Sequence, residues 1–294
     1  MKELFAESRY LKMAAAAIAA VMVICAIAGR FYAFGSGPSE EELMEIEKSG
    51  AKIAVPFDKY REIASIKGAG GAAAGKLNSL NLGALLSEGT LNYPPDSSCG
   101  RHAIESLTKG FEACEKMNIR TVVITADPRN EEQLKNSAAH LRLASRMAEE
   151  AGIEIAVESA IPIEEIYKLL DLSGAFEDES RIKICMDILN PLRFGSGDPC
   201  GQMASFGKDM ISHFHLKDSK KELFVPGQRG CVLLGTGDGK YEQSVKIIND
   251  MGFEGWLMTE NYYYLPPMND GEADFIALAS CDLETMKKSF KEDG

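Results

Sequence analysis

His213 and His215 stand two residues apart in the run Ile211-Ser212-His213-Phe214-His215-Leu216-Lys217-Asp218. The chain holds four histidines, so half of its imidazole sits in one short apolar segment. If that segment is a β-strand, alternation puts both rings on one face. Imidazoles side by side suit a metal ion or an anionic substrate. Three more apolar runs end in a carboxylate: Val157-Glu158-Ser159, Cys185-Met186-Asp187 and Met258-Thr259-Glu260-Asn261. Taken singly, each residue has a duller use, since a glutamate after a strand can cap a helix and a histidine can pack in a core. Taken together, Glu158, Asp187, Glu260 and one of the two histidines make a ligand set. Three carboxylates brought together would repel one another without a cation. Their mostly hard oxygen character favours one divalent ion of the Mn²⁺, Mg²⁺ or Co²⁺ type over Zn²⁺.

These residues need elements that bring them together. Strand patterns fall at 30–34, 51–55, 77–82, 121–125, 153–157, 182–186, 211–216 and 255–259. Helix patterns lie between and after them, at 102–118, 130–151, 162–170, from Asp198-Pro199, at 241–251 and from about 274 to 291. Ser39-Glu40-Glu41-Glu42 reads as a capping box opening a helix that stops at Gly50. Strict alternation of strand and helix implies a parallel sheet. Eight such units in this length predict an α/β fold, a (β/α)8 TIM barrel, as a single domain over residues 30–294. A doubly wound open sheet is the alternative. In a barrel the site lies at the C-terminal ends of the strands, where the four ligands fall.

Composition bounds the rest. The net charge of −12 argues against nucleic acid as a partner, because phosphate binding needs clustered Lys and Arg. The seven cysteines, Cys25, Cys99, Cys114, Cys185, Cys200, Cys231 and Cys281, are scattered and form no CxxC, so they read as buried free thiols. Residues 1–29 form a hydrophobic N-terminal segment whose run from Met13 to Gly29 carries no charge. Either it is a signal peptide or anchor, and the protein is exported or membrane-anchored, or it is a buried helix and strand of a cytoplasmic protein. Membrane contact is expected only through residues 13–29, and a homo-oligomer is compatible with the composition. Gly70-Gly71-Ala72-Ala73-Ala74-Gly75-Lys76 imitates a phosphate-binding loop, but Leu77 replaces the hydroxyl residue and a strand pattern follows. It reads as a Gly/Ala loop.

Four segments carry a resemblance: Gly152-Ile153-Glu154-Ile155-Ala156-Val157-Glu158, Ile184-Cys185-Met186-Asp187-Ile188-Leu189-Asn190-Pro191, His213-Phe214-His215-Leu216-Lys217-Asp218 and Gly255-Trp256-Leu257-Met258-Thr259-Glu260. Together they resemble the xylose isomerase-like sugar isomerase/epimerase superfamily, from about residue 30 to 290. The resemblance implies a metal held by Glu158, Asp187, His215 and Glu260. It also implies that Glu158 and Glu260 act as an acid/base pair on a small sugar substrate. The expected reaction is isomerisation or epimerisation through an enediolate. A metal-dependent lyase or hydrolase acting on a sugar derivative, or a non-catalytic sugar-binding barrel, is the alternative. Epimerases of this group carry a histidine three positions after the aspartate, where this chain has Asn190. They continue the histidine strand with Gly-Glu, where this chain has Lys217-Asp218. The endonuclease branch needs further histidine ligands and a basic face, which this acidic chain lacks. Asn190, His213, Lys217 and the loop residue Arg229 are the candidate substrate-binding residues. Tyr262, Tyr263 and Tyr264 could wall the pocket or simply pack.

Overall fold

The computed structural model describes residues 31–33, 53–56, 77–82, 89–224, 230–263, 265–270 and 275–290. The hydrophobic segment 1–29, the Ser39 capping pattern, the Gly70–Lys76 run and Arg229 lie outside the described residues. Among those described, no helix is long and apolar enough to cross a membrane.

Eight strands are described: β1 (Phe31–Ala33), β2 (Ile53–Pro56), β3 (Leu77–Asn81), β4 (Thr121–Thr125), β5 (Glu154–Glu158), β6 (Ile182–Asp187), β7 (Ile211–Leu216) and β8 (Trp256–Thr259). They form one sheet in the order β1-β8-β7-β6-β5-β4-β3-β2, and each neighbouring pair is parallel. Among the described residues the helices are α1 (Ser98–Met117), α2 (Glu131–Ala151), α3 (Ile163–Ser173), α4 (Asn190–Phe194), α5 (Pro199–Ser205), α6 (Tyr241–Asp250) and α7 (Phe275–Ser289). The result is a TIM-barrel-like α/β fold.

Local chemistry sets the helix ends. Asn130 Oδ1 accepts the Gln133 N–H at 3.0 Å, and Gln133 Oε1 accepts the Arg129 N–H at 2.8 Å. The pair satisfies two amides at the start of α2. That helix stops at Gly152, whose φ of 64° is left-handed and suits glycine. Asp198 caps α5 ahead of Pro199, as the sequence predicts. Helix α1 starts four residues earlier than its apolar spacing suggests, because Ser97 Oγ accepts the Gly100 N–H and so caps the chain there. The short helix α4 is a further difference, and its cause lies in the site described below.

Burial along β5 shows how the layers divide. Ile155 and Val157 belong to the main core with Leu141, Ala144 and Ala148 of α2. Ala156 turns the other way and meets Val123 and Cys185 in a separate small cluster on the inner face. The inner face ends in Glu158. Alternation thus gives β5 an oily outer side for the helices and an inner side free to carry a polar group at its end.

Candidate metal centre

Strands β5 to β8 deliver the four predicted ligands to one place. Glu158 ends β5, Asp187 ends β6, His215 lies next to the end of β7, and Glu260 follows β8 directly. Each offers one ligand atom, and the four atoms all lie within 4.8 Å of one another. His215 Nδ1 is 3.6 Å from Glu158 Oε1 and 3.4 Å from Glu260 Oε2. All four are buried or nearly so.

A bulge in the β6–β7 pairing creates this alignment. Ile184 pairs with Ile211, but Cys185 pairs with His213, so Ser212 is the extra residue. Beyond it, Asp187 stands level with His215. Phe214 correspondingly faces the outer core, where it meets Phe253 edge-on at 4.8 Å. Without the extra residue, the opposite face of β7 would be level with Asp187.

Asp187 has two jobs. Its Oδ1 accepts the backbone N–H groups of Leu189 and Asn190 at 2.7 and 2.6 Å, which turns the chain into α4. This carboxylate cap explains a helix that hydrophobic periodicity does not announce. Its Oδ2 faces inward, 2.7 Å from the Lys217 ammonium. Lys217 Nζ also donates to Glu260 Oε2 at 2.5 Å. Asn190 Nδ2 donates to Glu158 Oε1 at 3.1 Å. Two of the candidate substrate-binding residues therefore already touch ligand carboxylates. His213 is instead wholly interior, with Nδ1 3.0 Å from Ser212 Oγ.

The charges set each proton. Burial and then the neighbouring Glu260 push the Glu158 carboxyl up. Burial also works against the Glu260 charge, but Lys217 and then His215 outweigh it and hold that carboxyl well below the usual range. Burial opposes the charge on His215, yet Cys185, Glu260 and Glu158 together raise it well above an ordinary histidine. Lys217 is likewise raised, because Asp187 and Glu260 outweigh its desolvation. The two glutamates are thus pushed apart, one towards holding a proton and one towards charge.

The donor set fits a divalent ion. Neither ring nitrogen of His215 has a hydrogen-bond partner among the described residues. A buried polar atom left alone costs about 1–3 kcal/mol, so unpartnered nitrogens facing carboxylates have the form of a metal ligand. The cluster suits a divalent cation of several kinds.

Residues beyond the ligands hold the site in place. Asp218, next to Lys217, accepts the N–H groups of Gly235, Gly237, Gly239 and Ser219 at 2.8 to 3.0 Å. This explains the glycines of the 235–239 loop. A Cβ on Gly237 would lie 2.3 Å from Asp218 Oδ1, so the backbone can approach only as glycine. Asn261 Oδ1 accepts the Asp218 N–H, and its Nδ2 donates to Asp282 Oδ2 of α7. Tyr263 donates to the same Asp282 oxygen at 2.8 Å, and Leu234 N–H to the other at 2.8 Å. Tyr263 therefore packs in a network under α7; Tyr264 lies outside the described residues. Sequence reasoning missed Asp282 because a lone aspartate in a helix carries no signal of burial.

Solved structures share this architecture. An L-ribulose 3-epimerase is similar with a TM-score of 0.66 at 15% identity, over 88% of this chain and 94% of that one. A D-allulose 3-epimerase from Methylomonas sp., in complex with D-allulose, gives 0.65 at 14%, over 89% and 97%. The IOLI protein, with a binding zinc atom, gives 0.64 at 17%, over 88% and 96%. At these identities the likeness is one of fold. Among curated proteins, the inosose dehydratase of Clostridium perfringens is 28% identical over 148 residues, 45% of this chain and 48% of that protein. That of Clostridium beijerinckii is 27% identical over the same length. The matched segment spans about half the length of these relatives. A family model described as xylose isomerase-like TIM barrel matches residues 66–279. The clustered ligands and this match support a metal-dependent enzyme, and the chain belongs to the xylose isomerase-like TIM-barrel family.

Proposed function

We propose that this protein is a metal-dependent lyase that removes water from a small polyhydroxylated ketone of sugar type. The observation carrying the reading is the buried convergence of Glu158, Asp187, His215 and Glu260, with Lys217 between two of the carboxylates. The curated relatives that match are dehydratases, which favours elimination over simple isomerisation. In this reading the eight strands close between β1 and β2 into a complete barrel, and residues 30–294 form one domain after the separate segment 1–29.

A divalent cation held by the four ligands would polarise the substrate carbonyl and make the neighbouring C–H acidic. Glu158 takes that proton onto its carboxylate. Burial and the neighbouring Glu260 raise its proton affinity, the direction a group that must accept a proton requires. The electron pair left behind forms an enediolate. It then expels the hydroxyl on the next carbon, which takes a proton from the Lys217 ammonium and leaves as water; the proton gained by Glu158 restores Lys217 before the next turnover. Lys217, in contact with Glu260 at 2.5 Å, supplies the positive charge and the proton donor of this cluster. Asn190 orients Glu158 through its amide. Arg229, after β7, would reach the substrate from the loop.

Isomerisation or epimerisation shares the first step and differs only in returning the proton to carbon. Turnover of a panel of inososes, ketoses and their phosphates by the Mn²⁺-loaded protein in D₂O separates the outcomes. Dehydrated product, seen as loss of one water by mass, supports the lyase. Deuterium in recovered or epimerised substrate without dehydration would replace it with the isomerase. Neither product nor exchange across the panel would overturn the catalytic reading.

A further inference from the structure

A second ligand cluster borders the first. Cys185 and His213 are register partners across β6 and β7, two residues before Asp187 and His215 on the same inner faces. Cys185, His213 and His215 each place one ligand atom within 4.8 Å of the other two. All three are buried, with 3%, 1% and 0% of their surface exposed. The two rings lie 5.1 Å apart. The Nδ1 atom of His213 faces Ser212 Oγ, which leaves its Nε2 without a hydrogen-bond partner among the described residues, while His215 turns its Nδ1 towards Glu158 and Glu260 at 3.6 and 3.4 Å. Val123 and Ala156 pack beside Cys185 on this face, and Glu158, its register partner on β5, brings a carboxylate next to it. A buried imidazole nitrogen left unsatisfied beside a thiol asks for an occupant.

We propose that Cys185, His213 and His215 form a second cation site, of thiolate–imidazole character, which takes a soft divalent ion such as Zn²⁺. Sulfur and imidazole nitrogen select Zn²⁺, whereas the carboxylate-rich set next to it suits harder ions. Three protein ligands leave a position open, as in zinc sites that are not closed tetrahedra. Binding forms one metal–sulfur and two metal–nitrogen bonds and releases the Cys185 thiol proton; when both clusters are filled, His215 bridges them through its two ring nitrogens and gives up its ring protons as well, with no change of oxidation state. The bulge at Ser212 serves both clusters, because it turns His213 and His215 inward together. The inference rests on no substrate or reaction.

Cadmium is a spectroscopic stand-in for zinc. ¹¹³Cd NMR of the metal-free, full-length protein with up to two equivalents of Cd²⁺ should show a resonance in the sulfur–nitrogen range besides an oxygen-rich one. Cys185→Ser should lose the first and keep the second, with Cd²⁺ affinity at the lost site down by about tenfold or more. If Cys185→Ser does not fold, His213→Gln, which keeps bulk and removes the ring donor, carries the same comparison. A wild-type spectrum holding only oxygen-range signals overturns the proposal without any variant. So does a sulfur–nitrogen signal that survives in Cys185→Ser, since another cysteine would then supply it.

Discussion

Replacing Lys217 by methionine tests the electrostatic account of the metal centre most directly. Its ammonium stands 2.7 Å from Asp187 Oδ2 and 2.5 Å from Glu260 Oε2, and it is almost fully buried. Methionine keeps most of the stem's volume and removes the charge. Two buried carboxylates then lose their counter-charge, and breaking a buried pair in this way costs about 3–5 kcal/mol. The metal-free protein should therefore be destabilised by that order. A divalent ion gains instead. A unit positive charge ~5 Å from a dication opposes it by about 7 kcal/mol at an effective dielectric of ~20. Relaxation of Asp187 and Glu260, which Lys217 also positions, consumes most of that gain. A tightening of about tenfold or more, roughly 1.4 kcal/mol, should remain. Calorimetric titration with Mn²⁺ gives the affinity, and thermal melts with and without Mn²⁺ give the stability. Lys217→Met should melt lower than wild type without metal and recover more on adding it. Binding of Mn²⁺ ten times weaker than wild type would refute the reasoning, because the ammonium would then build the site rather than compete with its ion.

Metal binding should weaken as pH falls, because His215 is held well above the ordinary histidine range in the metal-free site and must lose its proton to ligate. Below that raised value the loss should approach tenfold per pH unit, and a Kd for Mn²⁺ independent of pH would contradict it. Asp282 is buried and pushed up to about 6 from 3.8. The folded state therefore binds its proton more tightly than the unfolded chain, and stability falls as pH rises from about 4 to about 6, by roughly 3 kcal/mol. Urea unfolding of Asp282→Asn should lack that slope; an identical slope would remove Asp282 as its source. Gly237→Ala forces a Cβ onto Asp218 Oδ1, so unfolding should cost about 1–3 kcal/mol less. A variant as stable as wild type would mean that the 235–239 loop is not pinned as described.

The convergence of Glu158, Asp187 and Glu260 was legible in the sequence because each carboxylate ends an apolar run, and a parallel sheet gathers strand ends at one edge. The order of the strands followed from alternation of strand and helix, since short crossovers make successive strands neighbours. The start of α2 was written in Asn130 and Gln133, a local code that needs no tertiary partner. Local chemistry could not reveal that Asp187 Oδ1 founds α4, because the acceptor's orientation depends on the barrel around it. Nor could it place Lys217 between Asp187 and Glu260, which are 30 and 43 residues away in sequence. The same limit applies to Asp282 of α7, which meets Leu234, Asn261 and Tyr263, and to Cys185, whose spacing resembles that of any buried thiol.

The histidine strand shows the division most clearly. Alternation alone fixed that His213 and His215 share a face, since the side-chain period of a strand is two. Which face that is depended on register, and register depended on the bulge at Ser212, a pairing with β6 that no property of β7 encodes by itself. The structure turned the two rings inward and Phe214 outward to Phe253 because only the outer layer could bury the phenyl ring, while only the inner layer held the carboxylates that the imidazoles meet.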